Sequence, residues 1–278
     1  MEFKDKTVVI TGGSEGVGAS TARAFARAGA NLVLAARTRK NLERIAGELR
    51  PDTRVEIVVM DVADPNACEN LLRKAQFEFG DIHVLVNNAG YHERGPVESV
   101  EADSLGQMID VNLKAPIVLS RLALPLMREA GVGAIINVAS LAGRTPVPGA
   151  ATYSASKFGM RAFTFALAEE LRDSGIKIAA VSPGPIDTGF IMANIDNVTD
   201  LTFSQPLSTA DEVAREILKL CTNDKRERSM PPLSGFLMTF TYLWPGIGRT
   251  MRPLLEGKGR RVKRALKAKM RQTGHEAS

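Results

Sequence analysis

Tyr153-Ser154-Ala155-Ser156-Lys157 sets a phenol and an ammonium four residues apart. On a helix, positions i and i+4 share a face, so both side chains enter the same space. A free tyrosine titrates at about 10, too high for proton exchange at neutral pH, and an adjacent cation favours the phenolate. Upstream, Ser140 follows the apolar run Ile135-Ile136-Asn137-Val138-Ala139. If that run is a strand of an open parallel sheet, Ser140 stands at its carboxyl end, where such sheets bind ligands. A hydroxyl there can hydrogen-bond a substrate oxygen; the plainer reading is a serine that caps the next segment. The chemistry these residue types allow is proton exchange with an oxygen atom.

A second constellation lies near the N-terminus. Thr11-Gly12-Gly13-Ser14-Glu15-Gly16-Val17-Gly18 separates the β-branched run Thr7–Thr11 from a helical pattern over Ala19–Ala28. Glycines allow a tight turn and a close ligand approach, and the exposed amides of the following helix favour a pyrophosphate. The spacing is Gly-x-x-x-Gly-x-Gly, not the common Gly-x-Gly-x-x-Gly, and a ligand-free turn is the alternative. At the end of the second apolar run the chain reads Leu34-Ala35-Ala36-Arg37-Thr38-Arg39-Lys40. No acid stands there to bond a ribose 2′-hydroxyl, whereas Arg37 suits a 2′-phosphate, so NADP(H) is the expected cofactor.

Positioning these groups requires a sheet. Apolar runs at Thr7–Thr11, Asn31–Ala36, Arg54–Met60, Ile82–Asn87, Ala134–Ala139 and Ile176–Ser182 alternate with helical segments. Continuous rather than alternating apolar strands predict an α/β fold, a doubly wound parallel sheet covered on both faces. Met1 to about Asp224 reads as one such Rossmann-like domain, and residues 225–278 as an appended extension.

Composition narrows the classes. The 278 residues are 44% hydrophobic and 24% charged, which excludes disorder. Two cysteines far apart, Cys68 and Cys221, exclude a disulfide scaffold and favour a reducing compartment. Met1-Glu2-Phe3-Lys4-Asp5 has no apolar leader, so a cytoplasmic location is expected. The formal charge of +5 hides two regions. Met1–Gly248 holds 26 Lys/Arg against 29 Asp/Glu, and Arg249–Ser278 holds 10 against 2. A mildly acidic body argues against nucleic-acid binding. His83, His92 and His275 show no metal-ligand spacing, and no metal is expected; His92, on a loop, reads as solvated.

Taken together the motifs resemble the short-chain dehydrogenase/reductase family over roughly Lys4 to Asp224. The resemblance is carried by the glycine turn, Asp61-Val62, Asn87-Asn88-Ala89-Gly90, Asn112, Ser140, Tyr153 with Lys157, and Pro183-Gly184-Pro185-Ile186-Asp187-Thr188. It implies hydride transfer between a nicotinamide and a carbinol or carbonyl carbon. Tyr153 would exchange the proton, Ser140 would polarise the substrate oxygen, and Lys157 would bind the nicotinamide ribose and lower the Tyr153 pKa. Asn112 would hold a water relaying protons from Lys157. Gly12, Ser14, Glu15, Gly16, Val17 and Gly18 would cradle the cofactor. Asp61 and Val62 would meet the adenine, and the backbone of Asn88, Ala89 and Gly90 would line the adenosine side. Pro183 and Gly184 would line the cofactor site, and Ile186 and Thr188 would touch the carboxamide. Many NADP-using members carry a base where this chain has Glu15, which leaves dual cofactor use open. The family commonly forms homodimers or homotetramers through the Tyr153 helix and the one before it, and Leu119, Leu122 and Leu126 make an apolar stripe for that contact.

The substrate lid, about 186–210, contains Phe190, Ile191, Met192, Ile195, Leu201 and Phe203. It fits an apolar substrate, internal packing or a subunit contact. Beyond it, Phe236–Trp244 is apolar but too short to span a bilayer. Arg249–Arg271 is basic, with Leu255, Val262, Leu266 and Met270 on one face. Such a pair resembles a surface anchor for an anionic membrane; the alternative is a helix covering a subunit interface. The sequence reading is an NADPH-dependent ketone reductase of a hydrophobic, lipid-like carbonyl. An alcohol dehydrogenase of a small polar substrate, or a non-catalytic dinucleotide sensor, are the alternatives.

Overall fold

The computed structural model describes residues 1–187 and 198–275, with side chains as far as residue 268. Thr188, Phe190, Ile191, Met192, Ile195 and the side chain of Met270 fall outside the described residues.

The expected sheet is present. Its first six strands are β1 (Thr7–Thr11), β2 (Asn31–Ala36), β3 (Val55–Val59), β4 (Val84–Asn87), β5 (Gly133–Val138) and β6 (Ile176–Pro183). Two short strands, β7 (Ile186–Asp187) and β8 (Ser208–Thr209), pair with each other at the two ends of the lid. The last strand is β9 (Glu227–Met230). The main sheet runs β3-β2-β1-β4-β5-β6-β9 and is parallel throughout. The order reverses between β1 and β4, which opens a crevice at their carboxyl ends.

Strand residues point alternately to the two faces. Val8 and Ile10 pack into one fully buried core, and Val9 into the other. Helices α1 (Gly16–Arg27) and α2 (Arg39–Leu49) cover the first face together with α7 (Ala210–Leu220), which starts with a Thr209/Glu212 capping box. The second face is covered by α3 (Pro65–Phe79) and by a long helical passage. That passage runs from α4 (Ala102–Ile109) through a π-turn at Asp110–Lys114 into α5 (Ala115–Glu129). Leu119 of the expected intersubunit stripe is fully buried in this core, and Leu122 and Leu126 pack partly against it. Helix α6 (Ala151–Glu170) follows β5 and carries Tyr153.

The expected domain boundary at Asp224 falls just before β9, which completes the main sheet. Glu-Arg-Ser-Met has no apolar run, so its pairing had no hydrophobic signature. A buried carboxylate holds it instead. Glu227, with its side chain 5% exposed, is ion-paired by Arg144 at 2.6 Å and Arg161 at 2.9 Å, and accepts the Ser182 hydroxyl at 2.7 Å.

After β9 come α8 (Pro232–Leu243) and α9 (Pro245–His275). Ser234 and Gly235 bury the start of α8 against β9, and Arg144 donates to Thr239 at 2.8 Å. The α9 face that bears Val262 and Leu266 turns inward onto Val198 and Phe203 of the lid. Arg260 pairs with Asp200 at 3.2 Å, and Lys263 donates to the Val198 carbonyl at 2.6 Å. A side chain at Gly259 would overlap the Asp200 carbonyl, its Cβ only 1.7 Å away. Val262 and Leu266, read from sequence as a membrane-facing stripe, therefore strap the lid.

Candidate active site

At the switch point the glycine turn leaves β1. Gly12 takes φ +64°, and a Cβ there would meet the Asn88 amide at 2.8 Å, so glycine fits where other residues strain. Gly18 sits behind the turn, its absent Cβ 2.0 Å from the Gly12 carbonyl oxygen; it packs α1 onto β1 and stands off the cleft. The Asn88 side chain donates to the Thr11 and Gly12 carbonyls at 3.0 and 3.1 Å. The Thr11 hydroxyl accepts the Asn88 and Ala89 amides at 3.1 Å each. These bonds fasten the ends of β1 and β4 together.

Helix α1 begins without a side-chain cap, which leaves its first amides for an anion. Glu15 turns aside and accepts from Asn41 of α2 at 2.5 Å. Arg37 lines the cleft beyond β2 and has no hydrogen bond or ion pair with another described residue. Arg44, also lining it, donates to the Ser14 carbonyl at 3.2 Å. Sequence reasoning missed Asn41 and Arg44, although their i, i+3 spacing on the helix after Arg37 puts them on one face. The turn, the uncapped helix and the two guanidinium groups fit a dinucleotide that carries an extra phosphate.

One cavity of about 1740 Å³ runs through the site. Ser14, Glu15, Gly16 and Val17 line it at the helix end, and Asp61 and Val62 after β3. Asn88, Ala89 and Gly90 line it beyond β4, and Pro183, Gly184 and Ile186 beyond β6. Thr188 lies outside the described residues.

Ser140, Tyr153 and Lys157 meet on the wall of the same cavity. The Ser140 hydroxyl accepts the Ala142 amide at 3.1 Å, so it caps a short turn as well as facing the cleft. Lys157 is 5% exposed and donates to the Val138 carbonyl at 2.9 Å, with its Nζ 5.7 Å from the Tyr153 ring centre. Burial lowers the Lys157 pKa to about 8. Burial also raises the Tyr153 pKa, opposed by hydrogen bonding with Ser140 and by the charge of Arg94. The Arg94 charge therefore favours the phenolate. Asn112 is fully buried in the π-turn, behind the cavity wall. Its amide accepts the Tyr91 N–H at 3.0 Å and donates to the Tyr91 carbonyl at 2.8 Å. The side chain therefore pins the loop after Gly90.

That loop carries two residues whose importance the sequence concealed. His92, expected to be solvated, stacks on Tyr153 with ring centres 4.1 Å apart and planes 11° from parallel. Burial is the main cause that pushes its imidazole down to about 3, and its buried Nε2 has no hydrogen-bond partner among the described residues. Arg94 lines the cavity beside them. The far wall comes from the C-terminal helices: Leu237, Phe240 and Tyr242 of α8, and Met251 and Leu255 of α9. Among the described residues no group of three or more His, Cys, Asp or Glu could hold a metal. His83 is spent on structure, accepting the Thr7 amide at 3.2 Å.

The family model for short chain dehydrogenases matches residues 6–198. An uncharacterized oxidoreductase of Staphylococcus saprophyticus is 38% identical over 218 residues, covering 78% of this chain and 85% of that protein. One from Staphylococcus aureus (strain USA300) is 34% identical over 209 residues, covering 75% and 89%. A metagenomic short-chain oxidoreductase solved in complex with NADP superposes with a TM-score of 0.71 at 30% identity, covering 82% of this chain and 98% of that one. The chain belongs to the short-chain dehydrogenase family.

Proposed function

We propose that this protein is an NADPH-dependent reductase of hydrophobic, lipid-like ketones. The carrying observation is the course of the cavity, from the glycine turn and Arg37, past Ser140 and Tyr153, to a wall of apolar side chains from α8 and α9. NADPH, when bound, supplies the hydride to the carbonyl carbon. Arg37 and Arg44 would hold its 2′-phosphate, a reading supported by the NADP complex of the structural relative. Ser140 orients the carbonyl oxygen, and Tyr153 gives that oxygen its phenolic proton, leaving an alcohol and a phenolate. A raised Tyr153 pKa keeps the proton on the phenol until the oxygen gains charge. Lys157, its ammonium fixed against β5, would hold the nicotinamide ribose, and solvent returns the proton to Tyr153.

The apolar wall sets the substrate class. Each methylene buried there contributes about 0.8 kcal/mol, so kcat/KM should rise with chain length across a series of methyl ketones, followed by NADPH absorbance. A flat series, or one that favours small polar ketones, would contradict the lipid-like assignment. The protein would meet such substrates at a membrane surface. Leu233, Phe236, Leu243, Trp244 and Leu254 are all more than half exposed beside the bases of α9. No helix among the described residues is long and apolar enough to cross a membrane, so attachment would be peripheral. A homo-oligomer through α5 and α6 is the assembly we propose, and light scattering tests it.

A further inference from the structure

The loop after Gly90 holds a cation to which the hydride-transfer reaction assigns no substrate contact. Arg94 is half-buried, lines the cavity, and lies close enough to Tyr153 for its charge to stabilise the phenolate. It makes no hydrogen bond or ion pair with any other described residue. Arg144 and Arg161, by contrast, share Glu227, and Arg260 meets Asp200. A guanidinium withdrawn from water without a carboxylate is costly, and burial opposes its charge here. Nor is Arg94 a reader of the cofactor phosphates, because the uncapped helix, Arg37 and Arg44 stand at the other end of the cleft.

The loop is also rigidly placed. Asn112 holds both polar groups of the Tyr91 backbone, and the Tyr91 hydroxyl donates to the Ser104 carbonyl at 3.2 Å. His92 is stacked on Tyr153, and the Gly95 amide donates to the Gly149 carbonyl at 3.0 Å. The backbone that carries Arg94 is thereby fixed, and its planar guanidinium suits bidentate contact with an oxyanion.

We infer that Arg94 binds an anionic group of the substrate, so that the preferred ketones carry a carboxylate or phosphate at one end and an apolar chain at the other. The anion would sit near the reacting carbonyl while the chain runs along α8 and α9. Arg94 is then a specificity-determining residue for the ketone reduction proposed above, and the inference rests on that reading. Charge-assisted hydrogen bonds of this kind change affinity by roughly 10- to 100-fold.

The test compares medium-chain oxo acids with their methyl esters, the ketone placed at successive positions, with NADPH. The native enzyme should favour at least one acid over its ester by roughly 10-fold or more in kcat/KM. Arg94→Gln should bring that ratio to about one, and Arg94→Lys should keep part of it. A phosphate monoester of a hydroxyketone, run beside the acids, separates a phosphate reader from a carboxylate reader. Binding of decanoate against decanol to the NADPH-loaded protein, by calorimetry, gives a readout that needs no turnover. Decanoate should bind more tightly to native protein than to Arg94→Gln, with no such difference for decanol. If esters and acids are reduced equally well, or the preference survives Arg94→Gln, the inference is overturned while the reductase reading stands. If no ketone is reduced yet decanoate binding depends on Arg94, the reductase reading fails and the anion site remains.

Discussion

Arg37 is the residue on which cofactor choice turns. It lines the cleft with no ion-pair partner among the described residues, while Glu15 is drawn away by Asn41. Arg37→Asp removes a charge-assisted contact and adds repulsion, so NADPH should bind at least about 10-fold more weakly by fluorescence titration. An unchanged dissociation constant would assign the 2′-phosphate to Arg44 alone. His92 gives a second expectation at this scale. In the unfolded chain it takes a proton below an ordinary pKa of about 6.5; in the fold it does so only near 3. Between those values the unfolded state binds more protons, so the fold loses stability as pH falls through the window. His92→Phe keeps the ring stack and removes the titration. Its Tm should therefore fall less than that of the native protein between about pH 6 and pH 4. Parallel curves would show that the imidazole protonates within the fold. Tyr153, Lys157 and Ser140 were legible because helical spacing and a strand end dictate where they point. His92 and Arg94 were not, because their meaning depends on contacts across the cleft that no local pattern encodes.

At the scale of elements, six strands were readable from their apolar runs, with ends within a few residues of those observed. β9 was not, since its pairing depends on Glu227 meeting Arg144, Arg161 and Ser182 rather than on hydrophobicity. Removing one member of a buried ion cluster costs about 3–5 kcal/mol, and here Arg144 and Arg161 would lose their shared counter-charge. Glu227→Ala should therefore lower the unfolding free energy in urea by about that amount, and should loosen α8, which Arg144 also holds. A loss below about 1 kcal/mol would mean the sheet edge is secured by other contacts. The amphipathic pattern of α9 was visible in the sequence, but the surface it covers was not. Val262 and Leu266 pack on Val198 and Phe203 of the lid.

The whole molecule couples a hydride-transfer cleft to an exposed apolar flank. Leu237, Phe240, Tyr242 and Met251 both line the cavity and reach the surface, so the cleft opens where the apolar side chains gather. Near an anionic surface each base contributes about 1 kcal/mol of attraction, which salt weakens. The protein should therefore sediment with phosphatidylserine-containing vesicles at low salt. The triple variant Phe236→Ser, Leu243→Ser, Trp244→Ser should not, while keeping its Tm. Retained binding in that variant would place the attachment on charge alone. The segregation of charge into the last thirty residues was plain in the sequence; that the apolar segment would form one wall of the active-site cavity was not, since that requires β9 and α8 to fold back over α6.

Hydride transfer itself has the most direct test. NADPH labelled with deuterium on the transferring face, mixed with a long-chain ketone, should give an alcohol with one deuterium on the carbinol carbon, read by mass spectrometry. Tyr153→Phe should still bind NADPH yet form this product at least roughly 100-fold more slowly, the scale of a lost general acid. A protein that binds NADPH but labels no ketone, or a Tyr153→Phe variant that labels at the native rate, would contradict the account.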